Sequence, residues 1–189
     1  MEDIWRRIET WLKIHAPSVY QGLRPPASQE AIQEAETYLG ITFPDDLRFS
    51  YLRHDGQSPE APLFLEGWEW LSLERVCDEW ALWKDLLDCG EFEGIDNESD
   101  GTRIVTDWWH PRWIPLTNSG TGDHHCLDLH PGPTGNYGQI IEMWHDDGER
   151  PWIAASFRAW LSEFAAELEQ DLYVLSEEYR CLVRREDLE

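Results

Sequence analysis

The hydrophobic period of the chain switches twice, and few architectures accommodate both switches. Up to Leu87 apolar residues recur at helical spacing. From Ile104 to Trp144 they fall into short runs separated by Gly- and Pro-rich turns, and from Phe157 to Leu168 the helical spacing returns. Helices first, a block of strands, then another helix is the order of an α+β domain and not of alternating βα units. The first helix is read over Ile4 to Ile14, with Ile4, Trp5, Ile8, Trp11 and Leu12 on one face. Pro17 and Pro25-Pro26 break the pattern. Ser28 is placed to cap a helix carrying Ile32, Ala35 and Leu39, Gly40 to end it, and Pro44 to open a third helix with Leu47 and Tyr51 inward. His54-Asp55-Gly56 reads as the exit turn. Ser72 can cap a longer helix built on Leu73, Val76, Cys77, Trp80, Trp83 and Leu87, and Ser156 one built on Phe157, Trp160, Leu161, Phe164 and Leu168.

Four segments read as strands joined by short turns, hence as antiparallel neighbours: Ile104-Val105, Trp113 to Leu116, His125 to Leu129 and Gln139 to Trp144. Gly90 to Gly101 has neither period and reads as a solvated loop. The expectation is one domain over residues 1–189, with 172–189 a C-terminal extension whose structure the pattern leaves open. There Tyr173-Val174-Leu175 looks extended, and Tyr179 to Arg185 fits a strand or a frayed helix. A chain of 189 residues buries roughly 70% of the surface its unfolded form exposes, so it needs no disulfide or metal to make a core.

Charge narrows the functional classes. Fifteen Lys and Arg against 38 Asp and Glu give a formal charge of −23, which argues against phosphate-backbone and anionic-membrane binding. With 41% hydrophobic residues the acidity does not signal disorder. Cys77, Cys89, Cys126 and Cys181 are far apart and form no metal or disulfide framework. The opening Met1-Glu2-Asp3-Ile4-Trp5 has no signal-peptide character, so the expected compartment is the cytoplasm.

Several ordered blocks resemble the SUKH superfamily of Smi-Knr type proteins. They are Trp5-x-x-Ile8-Glu9-x-Trp11-Leu12, Ile32-x-x-Ala35-Glu36-x-x-Leu39-Gly40-x-x-Phe43-Pro44-x-Asp46-Leu47, Tyr51-x-x-His54-Asp55-Gly56, Trp113-Ile114-Pro115, Cys126-Leu127-Asp128-Leu129-x-Pro131, Gly135-x-x-Gly138-Gln139-Ile140-Ile141 and Ser156-Phe157-x-x-Trp160-Leu161. The resemblance implies N-terminal helices flanking a mainly antiparallel sheet with a C-terminal helix against it. It also implies a non-catalytic binding role, since members include fungal regulators of cell-wall synthesis and bacterial immunity proteins that neutralise toxins. The fungal members add long disordered flanks not found in this chain, so the expectation is a toxin-neutralising immunity protein. The alternative is a regulatory scaffold of the fungal kind, and a small metal-dependent enzyme is the least favoured reading.

Candidate chemistry is sparse. His124, Cys126, Asp128 and His130 would share a strand face that could suit zinc, yet that is also the face a half-buried strand would solvate. With no zinc-finger or His-Glu-x-x-His spacing, they read as surface histidines, with no metal or cofactor. Nucleotide and hydrolase glycine motifs are missing, and carboxylate pairs such as Glu142 with Asp146 or Asp147 arise by chance in so acidic a chain. The strongest signal is the distribution of charge. From Asp85 to Asp147 there are 13 carboxylates against only Arg103 and Arg112. Glu91, Phe92, Glu93, Asp96, Glu98 and Asp100, with Trp108 and Trp109 as aromatic anchors, form the expected partner-binding site. An acidic loop on a rigid scaffold would steer a basic protein, such as a nuclease toxin, into contact. Oligomeric state is not legible.

Overall fold

A computed structural model describes residues 1–188. Its first helix, α1 (Glu2–His15), buries the five residues that the period selects. Pro17 starts a helix instead of ending one. It sits at the first position of α2 (Pro17–Gly22), where a missing N–H costs nothing. Ser28 caps α3 (Gln29–Leu39) by accepting from the Ala31 N–H, and Gly40 ends it at φ 66° while the Ile41 N–H reaches Glu36 O at 3.0 Å. α4 (Asp45–Tyr51) follows Pro44.

Polar ties lock α1 to α4 and its exit. Trp5 Nε1 donates to Ser50 Oγ at 3.0 Å, and the buried Glu9 carboxylate accepts two bonds from Arg53 at 2.6 and 2.8 Å and lies 3.1 Å from His54 Nε2. Gly56, at φ 69°, passes so close to Leu71 and Ser72 that a Cβ there would lie 2.4 Å from the Ser72 nitrogen. Asp55 Oδ1 accepts the Leu73 N–H at 2.9 Å, fixing the start of the next helix from the turn.

A short strand, β1 (Glu69–Trp70), precedes α5 (Leu73–Asp88), whose cap is Ser72. Then come β2 (Trp113–Pro115), β3 (Thr117–Asn118), β4 (His124–Asp128), β5 (Gln139–Met143) and β6 (Trp152–Ala154). β2, β4, β5 and β6 form, in that order, an antiparallel sheet, and β1 pairs with β3. Ile104-Val105, expected as a strand, is irregular. The Arg103 and Thr102 carbonyls are taken by Gly132 N–H and Thr134 N–H of a Gly-Pro turn, so no ladder forms.

Both faces of the sheet are covered. Ile114, Leu127, Ile140 and Ala154 look into a large interior shared with α1 and α6 (Phe157–Glu169), while Trp113, Cys126, Ile141 and Met143 look into a smaller one with Trp83, Trp109 and Ile104. Strand alternation therefore feeds two cores from one sheet. α6 is held by Ser156 accepting from Ala159 N–H, by Asp46 Oδ2 accepting from Arg158 N–H, and by Arg7 to Glu169 at 2.9 and 2.7 Å.

The tail is part of the fold. Hairpin β7 (Tyr173–Ser176) and β8 (Cys181–Arg184) is stitched to residue 63: the Leu63 N–H donates to Arg180 O, and the Leu182 N–H to Leu63 O. Tyr173 and Leu182 are fully buried in the large interior. Among the described residues no helix is long and apolar enough to cross a membrane.

Candidate functional site

α5 ends in a paired-bond cap, Gly90 N–H to Leu87 O and Glu91 N–H to Leu86 O, with Gly90 at φ 81°. That turn launches the acidic loop. Phe92 turns inward and stacks on Trp83, ring centroids 5.7 Å apart, while Glu91, Glu93, Asp96, Glu98 and Asp100 are exposed. The loop is shaped by Asn97, which is buried. Its Nδ2 donates to Val105 O at 2.9 Å and Asp107 O at 2.6 Å, its N–H to Thr106 O, and its Oδ1 accepts the Ser99 N–H. Glu98 N–H bonds Gly148 O, and one antiparallel bridge joins Asp96 to Asp107.

Three acidic segments thereby meet on one face: 91–100, Asp107, and the turn with Asp146, Asp147 and Glu149. Among the described residues the ion pairs nearest this face join His145 to Asp123 and Asp146, and none involves the five loop carboxylates. Thr102, through its hydroxyl and N–H, holds the Asp100 carboxyl below its ordinary range.

Arg150 pins this face from below. It is 6% exposed, donates to Asp147 O, Glu149 O and Trp108 O, and lies 4.9 Å from the Trp108 ring centre. Burial lowers its guanidinium to about 10, which leaves it charged at neutral pH. Sequence reasoning missed both Asn97 and Arg150. A signal existed for the second, since Arg150 is the only Lys or Arg between Arg112 and Arg158.

The two expected aromatic anchors separate. Trp108 is half-buried beneath Arg150, but Trp109, 2% exposed, stacks on Trp83 in the smaller interior and cannot reach a partner. Trp70, also unplaced by the period, lies in the large interior against Trp5 and Tyr51.

The histidine strand is likewise not a solvated face. His124 is fully buried, with Nδ1 2.6 Å from Thr117 O and Nε2 accepting from Trp83 Nε1 at 3.2 Å. Burial pushes its pKa down to about 4 and that of His125 to about 3, so both are neutral at pH 7. Cys126 is buried with its thiol pushed up, and Asp128 accepts from Gln139 Nε2 and the His130 N–H. His130 is exposed and stacks on His110 at 4.2 Å. These four side chains do not converge. The one cluster of metal-type ligands among the described residues is Asp123, His145 and Asp146. There Asp123 already accepts from the His145 N–H and Thr121 Oγ1 and meets His145 Nδ1 at 2.7 Å.

Comparison with known proteins places this geometry in a family. The model of the SMI1 / KNR4 family (SUKH-1) matches residues 26–163, from just before α3 to about the middle of α6. The chain belongs to that family. SMI1 / KNR4 relatives include the "Cell wall assembly regulator SMI1" of Saccharomyces cerevisiae, 27% identical across 87% of this chain and 40% of that protein. The "Cell wall biosynthesis/cell cycle regulator smi1" of Schizosaccharomyces pombe is 28% identical across 96% and 39%. The "Glucan synthesis regulatory protein" of Neurospora crassa is 26% identical across 96% and 41%. The chain thus spans about two fifths of the length of these relatives. All three are named as regulators, and the acidic loop lies inside the span that the family model matches.

Proposed function

We propose that this chain is a non-catalytic protein-binding domain that regulates cell-wall assembly, with glucan synthesis as the process it acts on. The observation that carries this reading is the relation of nearly the whole chain to proteins named for that regulation. The toxin-neutralising role expected from the bacterial members of the superfamily has no counterpart in those names. The acidic face supports a binding role in physical terms: unpaired carboxylates on a shaped loop raise encounter rates with a basic partner and select its orientation. Binding, not chemistry, also suits a strand whose histidines are buried and neutral.

The test is a chimera. The matching segment of the Neurospora crassa regulator is replaced by this chain, and wall glucan is measured in a strain lacking the native protein. Restored glucan is the expected result. A chimera that accumulates normally but restores none overturns the reading. A second chimera carrying Glu91→Gln, Glu93→Gln, Asp96→Asn, Glu98→Gln and Asp100→Asn is expected to accumulate equally and restore less.

A further inference from the structure

On the other side of the sheet from the acidic loop, a cavity of about 330 Å³ opens between loop 65–68, β5, β6 and α6. Its floor is aromatic. The β4–β5 register sets His125 opposite Glu142, so both point into the same space. The His125 ring lies between two indoles, Trp68 at 4.4 Å and Trp160 at 5.1 Å between centroids. His125 contributes a ring without charge, since burial keeps it neutral and its Nδ1 is 2.9 Å from Thr117 Oγ1.

The rim is acidic, with four carboxylates, Glu66, Glu142, Glu163 and Glu167. Arg184 answers two of them, reaching Glu66 at 3.1 Å and Glu167 at 2.7 Å. The carboxylates of Glu142 and Glu163 have no hydrogen-bond or ion-pair partner among the described residues. Glu142 is half-buried, and burial, followed by the charges of Asp123 and Glu66, raises its pKa. A carboxylate withdrawn from water without a partner is costly, and a cation delivered to it offsets that cost. Indole faces beside that carboxylate favour the same kind of guest, an organic cation.

The lining argues against other guests. Anions are repelled by the excess of carboxylates. Glu142 and Glu163 are not among the converging metal-type donors of the described residues. The volume lies at the small end of the roughly 300–1,000 Å³ typical of ligand pockets, which suits one long side chain with its flanking backbone better than a cofactor. The molecule already uses the same contact internally, with Arg103 over the Trp152 ring at 4.8 Å, beside the cavity.

We infer that this cavity receives the cationic side chain, lysine or arginine, of a basic segment of a protein partner, held against the Trp68–His125–Trp160 floor with its charge on Glu142. The inference rests on the protein-binding reading above and names the partner's chemistry and the place where it is read. Sequence alone could not have found the site, since its residues come from six separate segments and its aromatic floor needs a histidine pressed between two indoles.

The test titrates the intact protein with three capped peptides of the form Gly-X-Gly, where X is arginine, lysine or citrulline, while following the indole N–H resonances of Trp68 and Trp160 by NMR. At least one cationic peptide is expected to shift both signals, with an affinity at least ten-fold above that of the citrulline peptide. Glu142→Gln, which keeps the shape of the side chain, is expected to remove most of that preference. Glu163→Gln, on an exposed rim position, is expected to weaken binding by a smaller factor. Absence of shifts with both cationic peptides, equal shifts with citrulline, or undiminished preference in a folded Glu142→Gln protein overturns the inference. Because the titration reads the cavity directly, its failure leaves the glucan assay standing. A failed glucan assay with intact peptide binding would instead remove the regulatory reading and keep the site.

Discussion

Ile140 and Ile141 are adjacent in one strand and both fully buried, yet they belong to different interiors. Ile140 faces a core closed by helices, whose polar edges are tied off by side-chain pairs such as Trp5 with Ser50 and Glu9 with Arg53. Ile141 faces a core lidded on one side by irregular chain, residues 92–109, in which tryptophans replace the missing helices. The difference shows what rich indole content accomplishes here. Large, flat side chains let a loop do the covering that secondary structure does elsewhere, and a loop held that way presents its carboxylates in a fixed pattern.

Trp83 is where that contrast breaks first. It stacks on Phe92 and Trp109 and donates to His124, so Trp83→Ala is expected to cost about 3–5 kcal/mol in a denaturant melt. It should also free the amides of residues 91–109 to exchange with solvent. Ile140→Ala and Ile141→Ala form a sharper pair. Each is expected to cost about 3 kcal/mol, but only Ile141→Ala should accelerate amide exchange at Asn97 and its neighbours. Equal acceleration in both variants would mean that the two interiors act as one.

Per pH unit, a smaller effect comes from the neutral histidines that the two faces bury. Below about pH 6.5 the unfolded chain takes up protons that native His124 and His125, held down near 4 and 3, refuse. Stability is therefore present above pH 6.5 and is lost as pH falls towards those native values, at up to about 1.4 kcal/mol per pH unit for each histidine. His145 acts in the opposite sense. Asp123 raises its pKa, so its contribution is full below about 6.5 and fades as pH climbs through the raised value. Thermal melts from pH 7 to 4 should show the net decline, and His124→Gln should flatten it. The smallest change is expected from Glu93→Gln with Asp96→Asn, within about 0.5 kcal/mol in stability. Their signature is a weaker salt dependence of partner association.

The sequence makes the elements legible wherever local chemistry decides them. Ser28, Ser72 and Ser156 announce their helices by capping, and Gly40 announces an end by its left-handed backbone. Local chemistry also misleads: Pro17 reads as a breaker because a proline's effect depends on which turn it occupies, and the structure alone gives that. The exposed carboxylates at Glu91 to Asp100 are where a run of charge must be. Trp109 could not be sorted from Trp108, because burial of an indole in irregular chain follows from what stacks on it and not from any period. The histidine strand misled for a related reason. Alternation predicts two faces but says nothing about whether the second is wet, and here α5 and the loop cover it. Glu142 read as one carboxylate among 38, since its isolation is a property of the fold around it.

The stitch between Leu63 and the β7–β8 hairpin sets an order of assembly. Every buried member of the smaller interior has been made once Met143 is translated, whereas the larger one, which begins with Ile4 and Trp5, still lacks Tyr173 and Leu182. A nascent chain that has emerged as far as Arg150 therefore carries the means to shape its acidic loop while Trp5, and Phe64 stacked on it, still lack the Tyr173 side of their interior.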